Sequence, residues 1–158
     1  MRGLVYGNVA GPLHITTSID IRRPAEAVWP WLVDWESLPR WMTEMRDVRV
    51  LGDRREGVGV EAVATIRVAG ITTTDPIVVT TWEPPAVLEI EHRGWVTGVG
   101  TMELAPIEHG THLFWRESLV PPWGILGRLG LRLYRPLLAR TFIRDLERLR
   151  DLVEGGAI

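Results

Sequence analysis

The C-terminal segment from Pro121 to Gly155 constrains the fold of this chain more than any other stretch. Its apolar residues recur at steps of three and four, which aligns them on one side of an α-helix. This apolar stripe consists of Leu131, Tyr134, Leu138, Phe142, Leu146, Leu149 and Val153. Most of the chain before Pro121 has the pattern of extended strands. We therefore expect one long terminal helix to pack its stripe against the concave face of a sheet.

The first half of this helix carries a second apolar face, which points away from the stripe. Its members are Ile125, Leu126, Leu129, Leu133 and Leu137. Burial of the helix end on both sides explains this face most simply, and the alternatives are a cavity wall, a subunit contact or a membrane contact. Five arginines at 128, 132, 135, 140 and 144 precede the first acidic residue, Asp145. A solvated face accounts for them, and transient contact with anionic lipid is the alternative.

The remaining pattern is one strand, two short helices and six further strands. The strands are predicted at 14–22, 48–51, 58–68, 71–82, 87–93, 95–104 and 112–120, and the helices at 24–32 and 34–42. Short glycine-containing and proline-containing links favour antiparallel hairpins, because a parallel crossover needs a dozen or more residues. At 158 residues the chain suits one domain. We predict a loosely held leader over 1–13 and a single α+β domain over 14–155.

Composition excludes several kinds of site. The chain has no cysteine, so disulfides, thiolate catalysis and cysteine-based metal sites are excluded. A net charge of −2 gives no overall attraction to nucleic acid. No apolar run approaches the roughly 18 residues of a membrane span, and we expect a cytoplasmic protein.

His109 and His112 flank a turn with poor metal-binding geometry. No metal and no cofactor are predicted.

The order of the local motifs resembles the START-like, or helix-grip, superfamily (SRPBCC), which includes Bet v 1-type allergens and the polyketide cyclase/dehydrase and lipid-transport proteins. The matching motifs are Ile19-Asp20-Ile21 before Pro24–Trp29, Asp34–Trp41, Trp82-Glu83-Pro84-Pro85, and Gly110-Thr111. The resemblance spans residues 14 to 153. It implies a seven-stranded antiparallel sheet curled around the terminal helix, with a hydrophobic cavity that binds lipids, sterols or polyketides.

Strand parity indicates which polar residues face such a cavity. Leu88, Ile90 and His92 share the more apolar face of their strand, and Leu113, Trp115, Glu117 and Leu119 share that of the last strand. His92 and Glu117 are then ionisable groups in apolar surroundings, where a neutral histidine and a raised carboxyl pKa are expected. In the alternative interpretation, His92 is a lone polar residue and Glu117 pairs with an arginine at the rim. If the opposite face lines the cavity, Arg116 is the interior cation.

Two functions remain open at this point. The favoured one is binding of a hydrophobic small molecule, lipid-like or aromatic polyketide-like, in a cavity lined by Trp41, Ile90, His92, Trp95, Met102, Trp115, Glu117, Tyr134 and Leu138. The alternative is a cofactor-free cyclase or dehydratase that uses His92 and Glu117 as general acid and base. Nucleic acid is not an expected partner, and neither is stable membrane insertion. The sequence leaves open whether the chain forms a homodimer.

Overall fold

The computed structural model describes residues 11–68 and 70–156 of the chain. Its strands are β1 (Leu13–Ile21), β2 (Met45–Leu51), β3 (Glu61–Val68), β4 (Ile71–Glu83), β5 (Val87–Arg93), β6 (Thr97–Ile107) and β7 (Gly110–Val120). Helix α1 (Ala25–Val33) and a 3-10 helix (Trp35–Arg40) follow β1, and α2 (Gly124–Gly155) ends the chain. The predicted leader covers residues 1–13, of which residues 1–10 lie outside the described part of the chain. Strand β1 begins at the last residue of this predicted leader, Leu13.

All seven strands form one antiparallel sheet in the order β1-β7-β6-β5-β4-β3-β2. Strands β2 to β7 are therefore sequential hairpins, as their short links predicted, and β1 joins beside β7. The register aligns Ile15 with Glu117 and Leu113 with Ile19 across the β1–β7 pair. Together with the long terminal helix, this topology confirms the predicted α+β helix-grip fold.

The second half of α2 lies in the core. Leu146, Leu149 and Val153 are buried together with α1 and the sheet. At its end, the Glu154 carboxylate accepts a hydrogen bond from the backbone N–H of Arg22 at 2.8 Å, which ties the helix to the chain after β1. Gly156 adopts a φ of 67° and closes the helix with a left-handed cap. This half fixes where the rest of α2 crosses the sheet.

The first half of α2 is not buried on both sides, so the simplest explanation of its double apolar pattern is wrong. Leu131, Tyr134, Leu138 and Phe142 line an internal cavity, whereas Ile125, Leu126, Leu129, Leu133 and Leu137 are exposed. The sheet lies on one side of this segment, so its opposite face has no neighbour among residues 11–68 and 70–156. No helix within those residues is long and apolar enough to cross a membrane.

Candidate ligand-binding site

A cavity of about 460 Å³ lies between the sheet and the first half of α2. Strands β3 to β7 supply most of its wall, and α2 covers it with the four stripe residues named above. The wall is mostly aliphatic and aromatic, as in Ile66, Leu88 and Ile90. The stripe packs against the core from Phe142 onward, and the cavity lies beside the part of the helix that precedes this contact.

Eight of the nine residues predicted to bind ligand contribute to this wall. They are Ile90, His92, Trp95, Met102, Trp115, Glu117, Tyr134 and Leu138. The structure places Trp41 elsewhere: it is fully buried in the core, its indole N–H donates to the Trp31 carbonyl at 3.2 Å, and its ring meets Trp115 edge-on. Trp41 therefore supports a wall residue from behind.

A polar cluster of Asp75, His92 and Glu117 interrupts the apolar wall. His92 Nδ1 lies 2.6 Å from Asp75 Oδ2, and the other oxygen of Asp75 accepts a hydrogen bond from the Gly94 backbone N–H at 3.2 Å. The sheet creates this contact because His92 on β5 is paired with Ile77 on β4, two residues beyond Asp75. Asp75 thus fixes the orientation of the imidazole ring.

Glu117 approaches the opposite side of the same ring. One carboxylate oxygen, Oε1, accepts a hydrogen bond from the Trp115 indole N–H at 2.8 Å. The second, Oε2, lies 3.3 Å from His92 Nε2. The two atoms are not aligned for a hydrogen bond, so both His92 Nε2 and Glu117 Oε2 are buried without a hydrogen-bond partner among the described residues. Buried polar atoms of this kind require an explanation.

The two carboxylates determine the charge of His92. Burial alone lowers the pKa of the imidazole, but the hydrogen bond to Asp75, the close approach of Glu117 and their negative charges outweigh it. The pKa of His92 is raised from 6.5 to about 10. The sequence-based expectation of a neutral histidine is therefore wrong, because it did not include Asp75. At neutral pH both ring nitrogens carry protons, and Nε2–H is a donor.

Asp75 is the cluster residue that sequence reasoning missed. The threonine run at 72–74 that precedes it suggested only β-propensity. Strand parity offered a signal, since Asp75 shares a face with Ile77 and Val79, both of which are buried. An acid on the inward face of a strand needs a partner, and His92 is the nearest cation in the sheet.

The outward face of β7 does not contribute to the site. Arg116 lies on the solvent side of the sheet and pairs with Glu103 on β6. The possibility that Arg116 is an interior cation is thus wrong. Glu117 contacts Trp115 and His92 rather than an arginine at the rim.

A second group of acidic residues lines the cavity near α2. Asp145 is 2% exposed and accepts hydrogen bonds from the backbone N–H and the hydroxyl of Thr43. Burial raises the pKa of its carboxyl, and burial together with the charge of Asp145 raises the pKa of Glu44. Tyr134 lies nearby, and its pKa is also raised by burial. The cavity therefore has carboxyl groups at two places on its wall.

The Glu117 carboxylate occupies space that is open because Gly100 has no side chain. The two residues are directly paired between β6 and β7, and a Cβ at Gly100 would lie 2.6 Å from Glu117 Oε1. We expect Gly100→Ala to push the carboxylate off Trp115 and away from His92. Ligand affinity should then fall while the fold persists, because the displaced atoms are the end of a flexible side chain. Titration calorimetry of this variant with an aromatic alcohol such as naphthol measures the change, and unaltered affinity would contradict it.

Comparison with known proteins identifies the family. Residues 12–154 match the family described as polyketide cyclase/dehydrase and lipid transport. A comparison with curated protein sequences found no match.

Solved structures share the fold at low sequence identity. A protein from Thermus thermophilus is 18% identical with a TM-score of 0.78, and the match covers 92% of this chain and 100% of that one. The Zhui aromatase/cyclase from a Streptomyces species is 16% identical with a TM-score of 0.68, covering 92% and 99%. The di-domain aromatase/cyclase StfQ from the steffimycin biosynthetic pathway is 11% identical with a TM-score of 0.75, covering 94% of this chain and 52% of that one. At these identities the likeness establishes the fold alone. Because the family match spans nearly the whole chain, the protein belongs to the polyketide cyclase/dehydrase and lipid-transport family.

Proposed function

We propose that this protein binds a small apolar molecule that carries a hydroxyl group, such as a phenol or an enol. One observation carries the proposal: a buried donor, His92 Nε2, and a buried acceptor, Glu117 Oε2, lie 3.3 Å apart in an apolar cavity. A hydroxyl is both a donor and an acceptor, so it satisfies both atoms at once. The family, whose description names polyketides and lipids, supports an apolar ligand.

The size and lining of the cavity support this ligand class. A volume of about 460 Å³ lies within the range of about 300–1,000 Å³ that is typical of small-molecule sites. Trp115 stacks on Phe142 with ring centroids 4.3 Å apart, which places a flat aromatic pair on the wall. This pair offers a planar ring system an aromatic surface to pack against, in the same wall as His92 and Glu117.

The charge of the wall disfavours carboxylic acids. Four acidic residues line the cavity, namely Glu44, Asp75, Glu117 and Asp145, and His92 is the only basic residue among the described residues that line it. A carboxylate ligand can only accept hydrogen bonds and adds one more negative charge to this set. Free fatty acids and other carboxylates are therefore poor ligands, and neutral hydroxyl compounds are preferred.

Titration calorimetry with three ligands on one naphthalene ring tests this preference. We expect naphthol to bind about tenfold or more tightly than its methyl ether, because the ether leaves the Glu117 acceptor unpartnered. The corresponding naphthoate should bind most weakly. If naphthoate binds as well as naphthol, the hydroxyl preference is wrong, and if none of the three binds, the binding function itself is wrong.

Replacing Glu117 by glutamine separates charge from shape in the same assay. Glu117→Gln removes one negative charge from the wall, so naphthol should lose affinity and naphthoate should gain it. Glu103→Gln is the matched control, since Glu103 pairs with Arg116 on the outer face of the neighbouring strand. The control should bind all three compounds as the unaltered protein does. If Glu117→Gln and Glu103→Gln change the ligand affinities equally, the change does not arise from the charge of the cavity wall.

The same pair of residues supports a second function, the dehydration of a β-hydroxy ketone. Glu117 would take the proton from the carbon next to the carbonyl group, and the imidazolium of His92 would give its Nε2 proton to the departing hydroxyl, which leaves as water. The raised pKa of His92 suits an acid that stays protonated at neutral pH better than it suits a base. This assignment gives Glu117 the role of base.

Absorbance of the conjugated enone product measures this dehydration directly. With an aromatic β-hydroxy ketone as substrate, we expect both His92→Ala and Glu117→Gln to abolish turnover. His112→Ala, which alters a histidine paired with Asp20 at the solvent-facing side of β7, should turn over normally. Activity retained in Glu117→Gln would eliminate the catalytic role and leave the binding function untouched.

A further inference from the structure

We propose that the first half of α2 docks the mouth of the cavity onto the surface of an anionic lipid bilayer. The starting observation is an apolar face, here called the α2 ridge, that is exposed to solvent. Each of its six residues has between 51% and 77% of its surface exposed. They are Trp123, Ile125, Leu126, Leu129, Leu133 and Leu137. Exposed apolar surface on this scale marks an interaction site rather than a scatter of single residues.

The α2 ridge adjoins the cavity. The ring of Trp123 meets the ring of Trp95 edge-on, with centroids 4.9 Å apart. Trp95 itself lines the cavity and is 50% exposed, so it belongs to both the wall and the outer surface. Leu131 and Tyr134 lie on the opposite side of the same helical turns and face the cavity. Trp95, where the wall reaches the outer surface, is here called the mouth of the cavity, and a surface that covers the α2 ridge also covers it.

The charge around the α2 ridge fits an anionic partner. Between Glu117 and Asp145 the sequence contains no acidic residue and five arginines, at 128, 132, 135, 140 and 144. By helical periodicity, Arg140 and Arg144 continue the α2 ridge toward the C-terminus, whereas the other three lie toward the far side of the helix, where Arg135 donates to the His14 carbonyl. The overall charge of the chain is −2, so this positive region is a local departure from a slightly acidic protein.

The combination of features selects a bilayer over a second copy of the chain. In an isologous dimer the α2 ridge would meet an identical surface, so both sides of the contact would carry the positive charge of Arg140 and Arg144. Exposed leucines with tryptophan at one end and arginines beside them are the pattern of helices that lie in a membrane interface. Anionic headgroups attract arginines that lie at the membrane surface.

Co-sedimentation with lipid vesicles tests the proposal on the full chain. We expect binding to phosphatidylcholine vesicles that contain phosphatidylglycerol, weak binding to pure phosphatidylcholine, and release by high salt. Leu126→Ser with Leu133→Ser should abolish binding, and both residues are 77% exposed, so the fold should persist. Arg140→Gln with Arg144→Gln should weaken binding by roughly tenfold or more, from the loss of two headgroup attractions.

Ile107→Ser is the matched control, because it also removes an exposed apolar side chain. Ile107 pairs with Gly110 at the end of the β6–β7 hairpin opposite to the Thr97–Val120 pair that precedes α2. This control should bind vesicles normally. The proposal is overturned if the protein binds no vesicles, if Ile107→Ser reduces binding as much as the leucine pair, or if the protein is a dimer that the leucine pair dissociates.

Discussion

Replacing His92 by alanine is expected to lower the free energy of unfolding at pH 7 by about 3 kcal/mol. The imidazolium lies between two buried acids, Asp75 at 2.6 Å and Glu117 at 3.3 Å, which are 8% and 6% exposed. Its removal leaves both carboxyl groups in an apolar wall without their cation. Urea denaturation at pH 7 measures the loss.

The pH dependence of this loss has a defined sign. The pKa of His92 in the folded protein, about 10, is raised above its ordinary 6.5. Its contribution to stability is therefore complete below about pH 6.5 and disappears as the pH rises through about 10. The difference between the unaltered protein and His92→Ala should shrink accordingly between those values. A constant difference across this range would mean that the side chain contributes packing rather than charge.

His112→Ala is the control variant, because it removes a histidine from an exposed ion pair rather than from a buried one. His112 also contacts an aspartate, Asp20, but 65% of that side chain is exposed. Exposed ion pairs contribute about 1 kcal/mol or less, because water screens them. We expect a change of that size at most. A comparable loss in both variants would show that burial of the His92 cluster is not the source of its stability.

Replacing Trp41 by alanine is expected to cost about 3–5 kcal/mol of folding stability, the largest effect of any single change considered. Trp41 is completely buried, it packs edge-on against Trp115 at 5.9 Å, and its N–H bonds to the Trp31 carbonyl. Its removal leaves a void in the core and an unpartnered carbonyl. Chemical denaturation gives the size of the loss, and an unchanged denaturation midpoint would contradict the placement of Trp41 in the core.

Leu138→Ala distinguishes the core from the cavity wall. Leu138 lies on α2 and already faces open space, so its truncation enlarges an existing cavity rather than creating a new one. We expect a smaller loss of stability than in Trp41→Ala, with a change in naphthol affinity that Trp41→Phe does not produce. Stability losses of equal size in Trp41→Ala and Leu138→Ala would contradict this distinction.

The placement of Trp41 illustrates the limit of sequence reasoning about the site. Tryptophans at 41, 95 and 115 look alike in the sequence, because each is a large apolar residue with one N–H donor. In the structure Trp41 is behind the wall, Trp115 forms the wall, and Trp95 is half exposed at its edge. Tertiary packing separates these three positions, and for Trp41 it is the packing of the preceding 3-10 helix against β2 that places the ring in the core.

The charge state of His92 shows the same limit in electrostatic terms. Parity on β5 correctly predicted that His92 lines the cavity, because side chains alternate strictly along a strand. Its protonation depends on Asp75, which is 17 residues away in the chain and approaches only through the β4–β5 register. A pKa reports the distances to all neighbouring charges, and those distances do not exist until the sheet has formed.

The sequence by itself determined the element order, the hairpin topology and the inward faces of β5 and β7, since these follow from local periodicity and short links. It also determined that α2 is apolar on two sides. The tertiary structure alone decided that one of those sides faces a cavity and the other faces solvent, and that Asp75, His92 and Glu117 meet. These contacts depend on strand register, and the cavity depends on how closely the helix approaches the sheet. Both arise from contacts between residues that are distant in the chain.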